Sequence, residues 1–275
     1  MPIKKLDSIF RPKRIAIIGL SNDPNSVGSL TLKNLVGGGF QGVVYPINPN
    51  REAVMGIPCY PNIESLPKKP DLAVIMTAAK QVPEIIVNCG KAGINGVIVM
   101  SAGFKESGEK GKLLEVKLKK QIDKFPDMRV IGPNCLGVIV PKAKLNLSFA
   151  NGMPRQGKVA FISQSGALCA SVLDWADDTK IGFSYFISIG NAVDVTFGDL
   201  IDYLGQDTNT KSIILYVESL ANARSFMSAA RAFARKKPII VYKSGRFPES
   251  AAVAASHTGA LASEDAIYDA VFRRA

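Results

Sequence analysis

The segment Ala255-Ser256-His257-Thr258-Gly259-Ala260 carries the only histidine of the 275 residues. Small neighbours leave the ring room to face a substrate instead of filling a core. A neutral imidazole can act as a nucleophile near pH 7, because its unperturbed pKa lies close to neutrality. Two further segments hold residue types that suit the same chemistry. Ser163-Gln164-Ser165-Gly166-Ala167 places a hydroxyl and a glycine at a helix start, where unpaired N–H groups can seat a phosphate. A simple N-cap would use the same serine. Glu218 ends the apolar run Ile213-Ile214-Leu215-Tyr216-Val217. A carboxylate there can accept a proton from one ring nitrogen and leave the other free to attack; a helix-start acid is the plainer alternative. With one histidine and no G-x-S-x-G, these residues do not make a serine hydrolase triad.

The elements that must position them alternate. Arg14-Ile15-Ala16-Ile17-Ile18-Gly19 predicts a buried parallel strand, followed by the turn-forming stretch Leu20 to Gly28 and a helix from about Ser29. Further strands are expected at 42–46, 71–76, 96–100 and 129–131, with helices at 81–92 and 109–124. The stretch 141–157 mixes Pro, Asn, Lys and Gly and is read as an interdomain connection. Beyond it, strands at 158–162, 182–187, 212–217 and 238–243 alternate with helices at 167–176, 197–205 and 223–235, and another helix is expected from about Ser263. The expectation is therefore α/β: a Rossmann-like domain over 1–140, a linker over 141–157, and a flavodoxin-like parallel-sheet domain over 158–275. Ser165, Glu218 and the His257 loop would then share one sheet edge, where ligands of such folds bind.

Composition bounds the function. With 47% hydrophobic and 21% charged residues the chain is globular in type. No apolar run is long enough to span a bilayer, and no signal-peptide core follows Met1. The four cysteines, Cys59, Cys89, Cys135 and Cys169, show no metal-ligand spacing and fit reduced thiols of a cytoplasmic protein. The formal net charge of +11 is uneven: residues 1–150 hold 21 Lys/Arg against 11 Asp/Glu, and residues 151–275 hold 13 against 12. A basic first half suits an anionic ligand. Much of the excess lies between Lys105 and Lys124, as on the solvated face of a helix, and no zinc finger, arginine-rich run or stacking motif points to nucleic acid.

The anionic ligand is nucleotide-like but not NAD. The first turn is not G-x-G-x-x-G, and Tyr45-Pro46-Ile47-Asn48-Pro49 lacks the acidic residue that holds a ribose diol. Arg51 follows instead and suits a phosphate. Four motifs in order, Gly19-Leu20-Ser21, Tyr45 to Pro49, Ser101-Ala102-Gly103-Phe104 and Gly132-Pro133-Asn134-Cys135-Leu136-Gly137, resemble the coenzyme A-binding domain of the NDP-forming acyl-CoA synthetases. That superfamily includes ADP-forming acetyl-CoA synthetase and the α subunit of succinyl-CoA synthetase.

The resemblance extends over nearly the whole chain. It implies that Gly19, Ser21, Asn22, Arg51, Ser101, Ala102 and Gly103 contact coenzyme A, with Arg51 standing where succinyl-CoA synthetases carry a lysine. It implies that Ser165, Gly166 and Gly259 bind phosphate, that His257 is the phosphohistidine, and that Glu218 steadies the phosphorylated ring. Acyl-CoA and phosphate would be substrates. ATP or ADP and Mg2+ would enter only through an ATP-grasp subunit or domain, and an oligomer is expected. No ATP-grasp module lies within these residues, and the chain stops at Phe272-Arg273-Arg274-Ala275 inside an expected helix, as a truncated chain or one portion of a larger protein would. A regulatory coenzyme A-binding region of a larger protein, such as a protein acetyltransferase, is the alternative.

Overall fold

The computed structural model describes residues 5–21, 23–220, 222–245 and 272. The chain opens with a short helix α1 (Asp7–Phe10), then β1 (Arg14–Ile18), α2 (Val27–Gly37), β2 (Val43–Ile47), a two-residue hairpin of β3 (Ala53–Val54) and β4 (Ile57–Pro58), β5 (Leu72–Ile75), α3 (Val82–Lys91), β6 (Gly96–Val99), α4 (Glu109–Ile122) and β7 (Arg129–Ile131). Five of these strands form a parallel sheet in the order β2-β1-β5-β6-β7. Its central strands are buried on both faces, which is why β5 and β6 are unbroken apolar runs. The strand order reverses between β1 and β5, so a crevice opens between the loops that follow them.

The second half contains β8 (Gly137–Val140), β9 (Leu145–Ser148), β10 (Arg155–Ser163), α5 (Gly166–Asp178), β11 (Gly182–Ser188), α6 (Phe197–Gln206), β12 (Ser212–Val217), α7 (Ala223–Ala234) and β13 (Ile239–Lys243). Its sheet runs β13-β12-β10-β11-β8-β9. The first four are parallel, and here the order reverses between β10 and β12. Gln164 follows one of these strands and Glu218 the other.

The stretch 141–157, expected as an interdomain connection, contains strand β9 and the start of β10. β8 joins the second sheet antiparallel to β11, and β9 pairs back on β8. Two of its polar residues, Asn146 and Ser148, are buried and satisfied: Ser148 Oγ donates to Asn146 Oδ1 at 2.7 Å, and Asn146 Nδ2 donates to the Gly152 carbonyl at 2.7 Å. β10 also begins three residues before the expected Lys158, and its pairing with β11 shifts register between Gln156 and Ala160.

The two sheets share a core. One buried cluster takes Ile15, Ile17 and Leu72 from the first sheet and Ile162, Tyr185 and Ile213 from the second. Phe10 of α1 meets Tyr185 edge-on at 5.5 Å, while the Tyr203 hydroxyl donates to Asp7 at 2.7 Å. Asn34 of α2 donates to the carbonyls of Ser148 and Ala150. Arg129 of β7 reaches Asp194 and Asp199 of the second half, each at 3.0 Å. Burial works against the Arg129 charge, and the two carboxylates more than compensate, raising its pKa above the ordinary value. Among the described residues, no helix is long and apolar enough to cross a membrane.

Candidate functional site

A cleft of about 1360 Å³ lies where the carboxyl ends of both sheets face each other. Its walls include Thr77, Ser101 and Ala102 from the first half and Gln164, Ser165, Gly166 and Glu218 from the second. Ser101 and Ala102 of the residues expected for coenzyme A and Ser165 and Gly166 of those expected for phosphate line one space; Gly19, Ser21 and Gly103 are not in its lining.

On the first-half side, Gly19 has φ +99°, and a Cβ there would stand 2.7 Å from the Met76 carbonyl carbon. Glycine lets the loop after β1 close against the loop after β5. Ser21 accepts a hydrogen bond from the Asp23 N–H at 3.2 Å, and its carbonyl accepts one from Ser29 Oγ at 2.8 Å. Ser26 caps α2 by accepting from the Ser29 N–H. The hydroxyls of Thr77 and Ser101 are buried and make no hydrogen bond within the protein. Orphaned buried hydroxyls are uncommon, and two at neighbouring strand ends suit a ligand rich in amide and phosphate groups, as coenzyme A is. Arg51 is exposed beyond β2 and does not line the cleft. Gly103, with φ +108°, completes the turn after β6. Asn22 lies outside the described residues.

On the second-half side, the helix start expected at Ser163 to Gly166 is present. Ser163 Oγ accepts from the Ser165 N–H and donates to the Ser165 carbonyl, both at 3.0 Å, which fixes the bend. Ser165 is the N-cap of α5 and accepts from the Leu168 N–H at 3.3 Å. Its hydroxyl thus serves the helix, while the α5 N-terminus opens into the cleft. Gln164 links the two sides of the switch point. Its Oε1 accepts from the Glu218 N–H at 2.7 Å and the Ser219 N–H at 3.0 Å, and its Nε2 donates to Ser219 Oγ at 3.4 Å. Glu218 is half-buried at the end of β12, on the cleft wall. His257 and Gly259 lie outside the described residues.

Sequence reasoning gave no role to Gln164, Thr77 or Asn191. Thr77 follows the apolar strand β5 and could have been found by asking which hydroxyls stand beside Ser101 at the carboxyl edge. Asn191 sits in a loop whose partners are distant in sequence, so spacing carries no signal for it. Cys135 also borders the cleft, but its thiol is buried and donates to the Val99 carbonyl at 3.3 Å. Burial pushes that thiol up to about 12, so it is not a ready nucleophile.

Residues 13–141 match the family model of a CoA binding domain, and residues 156–275 that of the succinyl-CoA ligase like flavodoxin domain. The α subunit of ADP-forming acetate–CoA ligase II from Pyrococcus furiosus is 42% identical over 270 residues, covering 98% of this chain and 58% of the subunit. The ADP-forming 4-hydroxybutyrate–CoA ligase of Nitrosopumilus maritimus is 40% identical over 270 residues, covering 97% of this chain and 38% of the enzyme. Among solved structures, a dinucleotide-forming acetyl-coenzyme A synthetase 1 of Ca. Korarchaeum cryptofilum, in complex with phosphate and ADP, superposes with a TM-score of 0.92 at 41% identity, covering 98% of this chain and 58% of that one. The chain spans about half the length of the curated relatives it matches. With both domain families present in this order, the chain belongs to the NDP-forming acyl-CoA synthetase superfamily, of which it carries the CoA-binding and succinyl-CoA ligase-like flavodoxin domains.

Proposed function

We propose that the chain is the coenzyme A-binding and phosphohistidine portion of an NDP-forming acyl-CoA synthetase. One observation carries this reading: the Ser101-Ala102 turn and the α5 N-terminus with Glu218 wall the same cleft, so a thioester and a phosphate can meet there. Phosphate attacks the thioester carbonyl carbon of acyl-CoA, the carbon–sulfur bond breaks, and coenzyme A leaves as the thiol. An acyl phosphate results. A ring nitrogen of His257 then takes the phosphoryl group, and the carboxylate leaves. An ATP-grasp subunit or domain with Mg2+ passes the phosphoryl group on to a nucleoside diphosphate, and the histidine is regenerated. Phosphoryl transfer needs stabilised oxygens more than covalent assistance, which suits the Ser165–Gly166 helix start and the Gly259 loop. Glu218 is the carboxylate that supports the ring. Gly19, Ser21, Asn22, Arg51 and the Ser101-Ala102-Gly103 turn hold coenzyme A.

The test is labelling. Given its ATP-grasp partner and ATP, the chain should carry a phosphoryl label that is lost in mild acid and kept in alkali. His257→Asn should abolish label and turnover while leaving coenzyme A binding intact. Acid-stable label, or activity in the asparagine variant, would reject the mechanism and put the regulatory reading in its place.

A further inference from the structure

The turn after β6 is held from two sides. Within the first half, the Glu106 carboxylate accepts from the Gly103 N–H at 2.6 Å and the Phe104 N–H at 3.0 Å through one oxygen. Its other oxygen accepts from Asn191 Nδ2 at 2.8 Å. Asn191 belongs to the second half, in the loop after β11. The same Nδ2 donates to Glu115 of α4 at 2.6 Å, so one neutral amide serves two carboxylates. Lys105 Nζ donates to the Asn191 carbonyl at 3.0 Å. Burial alone would raise the Glu106 pKa, but the hydrogen bonds from Asn191, Phe104 and Gly103 outweigh it and hold the carboxyl below its ordinary range.

Asn191 is itself fixed. Its N–H donates to the Pro133 carbonyl at 2.9 Å, and the Val193 N–H donates to the Gly132 carbonyl at 3.2 Å. Gly190 seats the loop, since a Cβ there would lie 2.2 Å from the Pro133 oxygen. The amide is thus presented by backbone that has no freedom to follow the turn.

We propose that Asn191 is a positioning residue for coenzyme A: its amide, supplied by the second half, fixes the Glu106 carboxylate that shapes the Ser101-Ala102-Gly103-Phe104 turn. This deepens the function proposed above and rests on coenzyme A binding at that turn. Preformed sites bind more tightly because less ordering is left for the ligand to impose. A loosened turn should therefore show in affinity.

Titration calorimetry with coenzyme A, well below the unfolding temperature, tests the idea on the full chain. Asn191→Ala should weaken binding roughly tenfold, the scale of a lost charge-assisted hydrogen bond. The sharper test exchanges the partners. Asn191→Asp puts a carboxylate against Glu106 and should bind coenzyme A poorly. Adding Glu106→Gln restores a donor–acceptor pair, because the glutamine oxygen can still accept from Gly103 and Phe104 while its nitrogen donates to Asp at 191. Glu115 loses its amide in both the single and the double variant, and the Glu106→Gln single variant supplies that substitution's own effect, so the cycle reports the 191–106 contact. Recovery of most of the lost affinity supports the role. Unchanged affinity in Asn191→Ala, or a double variant no better than Asn191→Asp, overturns it even if melting temperatures fall. Failure of the unaltered chain to bind coenzyme A would instead remove the underlying reading, and this inference with it.

Discussion

Gln164 shows how much one side chain can settle at a switch point. Its amide oxygen takes the N–H groups of Glu218 and Ser219, which begin the loop after β12. Gln164→Ala would leave both donors to find water or distort the loop, and an unpaired buried donor costs about 1–3 kcal/mol. The Glu218 carboxylate would then lose its fixed approach to the cleft. Under the proposed function, phosphorylation of the chain by an ATP-grasp partner and ATP should slow roughly 10- to 100-fold. Coenzyme A affinity should hold, because the first-half turn does not touch this residue. Rapid-quench labelling alongside calorimetry separates the two, and equal losses in both would show general damage. The sequence made the neighbouring Ser165 and Gly166 legible because hydroxyl and glycine at a helix start have a local meaning. Gln164 has none: glutamine after a strand signals nothing until β10 and β12 are known to be adjacent.

At the scale of elements, most helices and strands could be placed from periodicity, with ends one to three residues off. The misses have physical causes. Leu145-Asn146-Leu147-Ser148 lies in a stretch whose Pro, Asn, Lys and Gly read as a connection, yet all four residues are buried. The bond from Ser148 to Asn146 and that from Asn146 to the Gly152 carbonyl make that burial tolerable, and pairing of that kind is invisible along a chain. The first loop is the reverse case, legible from Gly19 alone. Its φ of +99° and the 2.7 Å approach to Met76 leave no place for a side chain. Gly19→Ala should therefore destabilise the fold by about 1–3 kcal/mol through a strained backbone, and also weaken coenzyme A binding by spreading the loops after β1 and β5. Urea midpoints and calorimetry measure the two effects. An alanine variant with the original midpoint would mean that the loop relaxes freely, and that its closeness to β5 does not shape the site.

For the whole molecule, the decisive fact is that its halves are not beads on a string. The expected linker contains β9, an edge strand of the second sheet whose Ser148 carbonyl takes Asn34 of α2, and the shared cluster runs through both sheets. The cleft needs this rigidity, since its two walls come from different halves. Arg129 is a buried ionic tie between them. Its side chain is 8% exposed, while Asp194 and Asp199 are 19% and 20% exposed, so the triad is largely removed from water. Asp194 also accepts from the Val130 N–H at 2.7 Å, and Asp199 closes a capping box at the start of α6. Removing the guanidinium would leave two half-buried carboxylates facing each other across the junction. Breaking a buried ion pair from one side costs about 3–5 kcal/mol, and the partial exposure here places the expected loss at the lower end, about 3 kcal/mol. Scanning calorimetry of the unaltered chain should give one cooperative transition, because neither half can unfold without exposing the common core. Arg129→Ala should lower that transition. Two resolved transitions in the unaltered chain would show that the halves fold independently. An unshifted transition in the alanine variant would show that the apolar cluster alone holds the cleft walls in register.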